Sequence, residues 1–525
     1  MRATAASGLA AAGSLSSPRI GRAADGKVLR FVPSADLANF DPVWTTQIVV
    51  RNAAILIWDM LYGIDSKLEP QPQMVDAHEI TPDFKTWTFR LRPDLRFHDN
   101  EPVLSRDVVA SIVRWMGRDT MGIRIKAQLD ALDSVDDRTF RFRLNAPFPR
   151  LLYALGKCYS PLVIMPERIA ATSPFKQVTE FVGSGPARFR ADSWVPGSQA
   201  VFERFAGYVP RSETASWLAG GKRIVFDRIE WKTIPDSATV AAALQNGEVD
   251  WCEVVTDDLV PLLRKSPGVS VGTGNPMGNI CDVRVNHLHP PFNDLRARRA
   301  LQMSVDQTDY MTAAFGDDPS IWRRSASFFI PGTPLYSEQG GEPLKGKRNL
   351  ALAKTLLAEA GYRDEPIVLL VPTDIAVAKA WGDVTADLLK QLGMNVRYEA
   401  LDWGTVGKRR AKKEKPADGG WHMFVSAHPG DSCVNPAAYS QLEASGDAAW
   451  FGWPKSDAVQ AKFAEWYAAP DIAAEKIAVA GLNQAAMEHV VYIPGGFYKG
   501  LGAWRTNVTG IVSAPFPMFW DVSKN

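Results

Sequence analysis

His287 and His289, two residues apart with Cys281 close by, are the nearest approach in this sequence to a metal-ligand set. On a strand both imidazoles would point to one side, so three soft ligands could meet. Pro290-Pro291 follows directly and no second cluster has ligand spacing, so no bound ion and no cofactor are expected. His78-Glu79 lacks the second histidine of a metalloprotease helix, and Pro82 stands in its way. Catalytic patterns are equally thin. No Gly-x-Ser-x-Gly turn and no Walker-type phosphate loop occur, Gly272-Thr273-Gly274 lacks the spacing of a dinucleotide loop, and no pair of carboxylates stands out. Cys158, Cys252, Cys281 and Cys433 are scattered; four thiols can form two disulfides or stay buried and reduced. No enzyme is expected from these patterns, and an exported hydrolase stands as the rival reading of another class.

Composition sets the scale. The 525 residues, 46% apolar and 22% charged, can bury more than one core, and length suggests two to four lobes. A formal charge of +1 gives no overall footprint for nucleic acid, so no nucleic-acid partner is expected. No run approaches the ~20 apolar residues that cross a bilayer. Lys408-Arg409-Arg410-Ala411-Lys412-Lys413, beside Pro416 and Gly419-Gly420, reads as a solvated surface segment. Residues 1–24 read as an export leader: Arg2 precedes a weakly apolar stretch from Ala3 to Leu15, and Gly21-Arg22-Ala23 offers small residues for cleavage before Ala24 or Asp25. The alternative is a disordered tail.

Residues 84–107, FKTWTFRLRPDLRFHDNEPVLSRD, show the clearest local order. Trp87, Phe89 and Leu91 alternate like a half-buried strand, a second apolar strand follows, and His98-Asp99-Asn100-Glu101-Pro102 breaks the pattern. Ser105 can cap a helix whose apolar stripe is Val108, Val109, Ile112 and Met116, with Asp107 in its first turn. This segment resembles the signature of the dipeptide- and oligopeptide-type solute-binding proteins of ABC importers, extracellular solute-binding protein family 5. Asn100 stands where that family usually has Gly, and both tolerate left-handed backbone angles. Further blocks resemble the family in its own order: Asn39-Phe40-Asp41-Pro42, Trp58-Asp59-Met60-Leu61-Tyr62-Gly63, Gly183-Ser184-Gly185-Pro186, Asn246-Gly247-Glu248-Val249-Asp250, and Asn286 through Arg299.

The resemblance implies an α/β fold: a two-lobed periplasmic binding protein of the Venus-flytrap, type II kind, with an extra lobe inserted in the first half. It also implies a monomer in the periplasm that captures a peptide or similar polar solute and hands it to ABC transporter permease subunits. ATP is hydrolysed on a separate subunit. Some relatives bind nickel chelates or haem instead, and a sensing role without import is the remaining alternative. Ligands of the family sit between the lobes, often with an aspartate facing a peptide amine, and His428-Pro429-Gly430-Asp431 lies at the matching place. Asp431 is the first candidate, against the reading of a capping aspartate; Ser432-Cys433-Val434 departs from the family pattern. Trp403 and Trp421 can wall a pocket, Trp44 follows Asp41-Pro42 near the expected cleft, and Trp115 sits late on the signature helix; for each the alternative is core packing. Asn286 can use its amide on the solute or on backbone, and Phe497 follows Gly495-Gly496 at the expected return to the first lobe.

The remaining pattern places these candidates. Leu350, Ala353, Leu356, Leu357 and Ala360 make a helical stripe ending at Gly361; residues 367–371 are a continuous apolar run; a helix from about 377 to 392 ends at Gly393; and residues 395–399 alternate like a strand. That is a β–α–β unit, whose ligands collect at strand ends. A shorter copy spans Ala238 to Gln245, the stop at Gly247, and a strand from Val249. The expected division is residues 25–60 and 180–283 for lobe I, 61–179 for the extra lobe, 284–492 for lobe II, and 493–525 for a return segment packing on lobe I. The crossings are expected near 280–286 and 490–495.

Overall fold

The chain passes from its first large sheet to the second once and returns once. The computed structural model describes residues 27–525; the export-leader reading of residues 1–24 lies outside them. The first sheet has seven strands in the order Val269–Thr273, Leu501–Arg505, Trp251–Val255, Val28–Val32, Arg228–Lys232, Gln199–Arg204, Ala187–Phe189. Its central strand, Val28–Val32, runs parallel to both neighbours. The crossover helix Ser237–Asn246 buries Val240, Ala241 and Leu244, is capped by Asp236 accepting from the Thr239 N–H, and stops at Gly247 with φ +74°.

The second sheet has six strands, ordered Trp322–Arg323, Ile493–Tyr498, Asn279–Val285, Met423–Pro429, Ile367–Pro372, Val396–Leu401. Strands Ile367–Pro372 and Val396–Leu401 are parallel and joined through the helix Ala376–Gln391, the β–α–β unit that the apolar run predicts. All six residues of Ile367–Pro372 are buried, as a strand covered on both faces requires.

Residues 274–278 carry the chain from Val269–Thr273 to Asn279–Val285, and Lys499-Gly500 carries it back from Ile493–Tyr498 to Leu501–Arg505. The stretches 280–286 and 490–495, expected as crossings, lie chiefly within second-sheet strands instead. The alternation of Val283 and Val285 marks pairing inside a sheet, whereas the true crossing, with Gly274, Asn275, Pro276 and Gly278, has no period to read.

The extra lobe is a four-stranded antiparallel sheet, in order Val75–Ile80, Thr86–Leu91, Thr139–Leu144, Leu129–Ser134, covered by the helix Ser105–Trp115. Trp87, Phe89 and Leu91 face its core with Val108 and Ile112. Two local expectations change. Leu104 occupies the cap position and its N–H donates to Asp107 Oδ2 at 2.9 Å, while the Ser105 hydroxyl turns to the Asp136 carbonyl. The second apolar strand is only a bridge between Arg96 and Pro102, because Asn100, at φ +71°, turns the chain back.

This signature turn is fastened to lobe I through His98. Its Nε2–H donates to the Gly185 carbonyl at 3.0 Å and its Nδ1 accepts from the Gly183 N–H at 3.1 Å. Glycine is required there: a Cβ on residue 183 would lie 1.7 Å from the Ile57 carbonyl oxygen. At the other end of the chain, Phe519 packs on Phe31, while Phe516, Met518 and Trp520 join a cluster with Ile55, Met60 and Trp217, so the carboxy-terminal segment covers lobe I. The four cysteines are buried and free. Among the described residues, no helix is long and apolar enough to cross a membrane.

Burial pushes the His98 imidazole down to about 4 from the usual 6.5. The folded state therefore refuses a proton that the unfolded chain accepts below pH 6.5. The associated stability is complete above pH 6.5 and drains away as pH falls toward 4, by roughly 3 kcal/mol at most. Denaturant melts across this window are expected to flatten by about one proton's slope in His98→Gln.

Candidate functional site

Where the lobes meet beside the crossings, a cavity of about 210 Å³ remains. Lobe I contributes Ser34, Arg51, Trp251 and Glu253; the crossings contribute Gly274, Asn275 and Gly500; lobe II contributes Asn279, Pro429 and Asp431; Phe516 of the carboxy-terminal segment completes one wall. Arg51 lies on the helix Ile48–Ile57, whose residues from Val49 onward are all buried, so its side chain is nearly withdrawn from water. Asp431 follows the end of strand Met423–Pro429. Gly430 lets that strand end pass the crossing: its N–H donates to the Gly278 carbonyl at 2.8 Å, and a Cβ would lie 2.0 Å from the Met277 oxygen.

Arg51 Nη1 and Asp431 Oδ2 form an ion pair across the cleft, with side chains 6% and 1% exposed. The Arg51 guanidinium also stands 5.2 Å from the Phe516 ring centre. Behind it, Asn52 donates to Glu253 Oε1 at 2.9 Å and the Ser34 N–H donates to Oε2 at 2.7 Å. Burial raises the Glu253 carboxyl, with these hydrogen bonds opposing.

A second polar group lies on lobe II. Asp282 and Arg284 on Asn279–Val285, and Ser426 and His428 on Met423–Pro429, alternate with the core residues Cys281, Val283 and Val425. Asp282 Oδ2 accepts from Arg284 Nε at 3.0 Å and pairs with His428 Nε2 at 2.8 Å. Burial alone would raise the Asp282 carboxyl, but Arg284 and His428 outweigh it and hold it low; burial lowers His428. Arg284 is sandwiched between the rings of Trp450 and Tyr492, each 4.6 Å away. Trp450 also flanks Arg410 at 5.2 Å, with Phe451 at 4.7 Å, Trp403 at 5.0 Å and Phe424 at 5.9 Å. Around these groups Asp282 Oδ1, Ser426 Oγ, Asp431 Oδ1, Gln441 Oε1 and Arg410 Nε are buried without a hydrogen-bond partner in the protein. Such atoms suit a solute that brings its own donors and acceptors.

Of the residues singled out by sequence, Asp431 lines the cavity, paired with Arg51. His428 belongs to the Asp282 group and Trp403 to the rings around Arg410. Trp421 is core, donating to the Arg410 carbonyl at 3.2 Å and packing on Phe424. Asn286 donates to the Trp421 carbonyl at 3.0 Å and accepts from the Leu288 N–H. Phe497 is buried beside Gly278, with Arg323 5.7 Å away. Trp115 is buried in the extra lobe, donating to the Ser160 carbonyl at 3.1 Å. Trp44 sits in the Asp41 turn, its carbonyl accepting from Arg118. The structure does not gather the metal candidates: His287 stacks on His489, the His289 ring meets the Lys413 carbonyl, and Cys281 packs on Gly495. Nor is 408–413 uniformly solvated. Arg409 pairs with Glu399 and Lys413 with Asp447, while Arg410 turns in among the rings. Sequence reasoning missed Arg51, Glu253, Asp282, Arg284 and Arg410. The charged alternation of Asp282 and Arg284 within an otherwise apolar strand was the one available signal.

Away from the crossings the extra lobe clasps lobe II. Arg150 pairs with Glu475 at 2.8 Å, Trp466 donates to the same carboxylate at 2.9 Å, and Arg124 pairs with Glu443 at 3.0 Å beside the Tyr467 ring. The cleft is thus closed at both ends.

The model of bacterial extracellular solute-binding proteins, family 5, matches residues 69–450. The chain is 34% identical over 530 residues to the probable peptide ABC transporter periplasmic-binding protein y4tO of Sinorhizobium fredii, covering 98% of each. It is 25% identical over 380 residues to the glutathione-binding protein GsiB of Pectobacterium atrosepticum, covering 72% of this chain and 69% of that one. Among solved structures, the periplasmic binding protein DppA of Helicobacter pylori, in complex with the peptide STSA, superposes with TM-score 0.79 at 21% identity, covering 95% of this chain and 98% of that one.

Removing one member of a buried ion pair typically costs about 3–5 kcal/mol, because the other charge stays dry and unpaired. Arg51→Met should therefore open the cleft, read as a larger radius of gyration in small-angle scattering. Arg51→Met combined with Asp431→Leu is expected to recover most of the closed form.

Proposed function

The chain belongs to family 5 of the bacterial extracellular solute-binding proteins, and on that premise we propose that it takes a peptide or similar polar solute into the interlobe cleft, in the periplasm, for delivery to an ABC importer permease. The observation that carries the reading is the cavity bounded by both lobes and both crossings, with Arg51 and Asp431 meeting across it. Closure brings groups from two lobes onto one solute, so the closed form binds more tightly than the open one and the solute shifts the population toward it. The permease then meets a surface assembled from both lobes.

The cavity groups are disposed to hold rather than to attack. Asp431 is engaged by Arg51, and Glu253 by Ser34 and Asn52. Binding without turnover is the reading these contacts support. Native mass spectrometry of protein purified without denaturation should reveal a retained small molecule. Calorimetry against peptide pools should give saturable one-to-one binding, with the solute recovered unchanged. A new product in the incubated mixture would overturn the reading in favour of a hydrolase.

The clasp far from the crossings adds to closure without touching the cavity lining. Arg150→Gln leaves Glu475, already raised by burial, without its cation. The expected result is faster solute release in stopped-flow tryptophan fluorescence, with affinity weakened several-fold.

A further inference from the structure

The charged groups named around the cleft are three guanidinium groups and three carboxylates, but only two such pairs are in contact, and the two groups left over bear on what the solute brings. Arg51 is matched by Asp431 and Arg284 by Asp282. Two groups remain, Glu253 and Arg410. Both are partly buried, and they differ in how they can respond to that. Glu253 accepts hydrogen bonds from Ser34 and Asn52, and burial already raises its proton affinity, so it can shed its charge by binding a proton. A guanidinium has no comparable escape near neutral pH. Even with burial pushing it down to about 10, Arg410 stays charged at pH 7.

Arg410 is also held in place for a partner. Its guanidinium is surrounded by Phe451, Trp403, Trp450 and Phe424, its carbonyl is fixed by the Trp421 indole, and its Nε is buried without a hydrogen-bond acceptor. No ion pair joins it to any described residue; the nearest influential carboxylate, Asp282, already serves Arg284 and His428. Trp450 faces Arg410, Arg284 and the ring of His428, and His428 precedes Asp431 by three residues, so Arg410 adjoins the polar group on the strand that leads to Asp431. At Asp431 the situation is reversed. Its charge is met by Arg51, so its free Oδ1 favours a neutral donor, an amide N–H or a hydroxyl, over an ammonium that would sit against the guanidinium.

We infer that the solute is an organic anion whose carboxylate is received by Arg410 and which needs no free amino group at Asp431, as in an N-acylated amino acid or short peptide. This rests on the solute-capture reading above and specifies its ligand class.

Thermal-shift and calorimetric titrations with three dipeptide pools test it: free dipeptides, the same pool N-acetylated, and the same pool C-amidated. The N-acetylated acids should bind as tightly as the free ones or tighter, and amidation should weaken binding tenfold or more. Arg410→Gln should bring acids down to the level of amides, and Arg410→Lys, which keeps the charge, should restore part of the difference. Amides binding as well as acids, N-acetylation abolishing binding, or none of the acids binding would each overturn the inference. Solute capture itself would survive any of these if native mass spectrometry still showed a retained small molecule, and would fall only if that too were absent.

Discussion

Arg51 and Asp431 stand 380 residues apart in the chain and come from opposite lobes, yet both are nearly dry. Neither charge is tolerable alone in that setting: taking an ion from water to a low-dielectric interior costs several kcal/mol, offset only when an opposite charge is held at contact. Their meeting ties the state of the cleft to the charge state of its lining. The helix Ile48–Ile57 is buried almost along its length so that Arg51 can be aimed inward, and Gly430 allows the strand end that bears Asp431 to graze the crossing. Closure is thus coupled to electrostatics at the place where a solute would lie.

The architecture leaves that coupling free to operate. Two short passages, residues 274–278 and Lys499-Gly500, join sheets that each have their own strand order and core-facing residues, so rotation about the passages disturbs neither ladder. The extra lobe behaves differently. His98 fastens its signature turn to Gly183 and Gly185, and Arg114 forks onto Asp41 with contacts of 3.1 and 2.7 Å, so it is tied to lobe I by buried contacts. From that rigid base it reaches across to Glu475 and Glu443. The family signature is therefore a structural fastening that carries an arm to the far side of the cleft.

Within the cleft, aromatic rings do what a second carboxylate would do less selectively. Trp450 lies between Arg284 and Arg410 and faces both, keeping two like charges in fixed orientations. Arg284 is neutralised by Asp282, whereas Arg410 is only shielded. A ring attracts a cation through its quadrupole without cancelling its charge, so a guanidinium held by rings remains able to attract an anion. Similar two-lobed scaffolds hold different solutes because such side chains can be exchanged without altering the sheets.

The β–α–β unit and the signature strand and helix were legible in sequence because burial repeats at the period of the element, whereas the two-lobed arrangement came from the family resemblance. Trp87, Phe89 and Leu91, the run at 367–371, and the stops at Gly247, Gly361 and Gly393 each state their structure locally. Asp431 could be located by its motif alone. What the sequence could not state was its partner, since pairing of Arg51 with Asp431 is a property of how two lobes meet, and no local period records a contact between segments so far apart. The same holds for Arg410, which sits in a basic run that reads as surface and is turned inward by rings contributed from 403, 424, 450 and 451. Periodicity determined which elements form; only the tertiary structure decided which charges are matched, because matching is set by how distant segments pack.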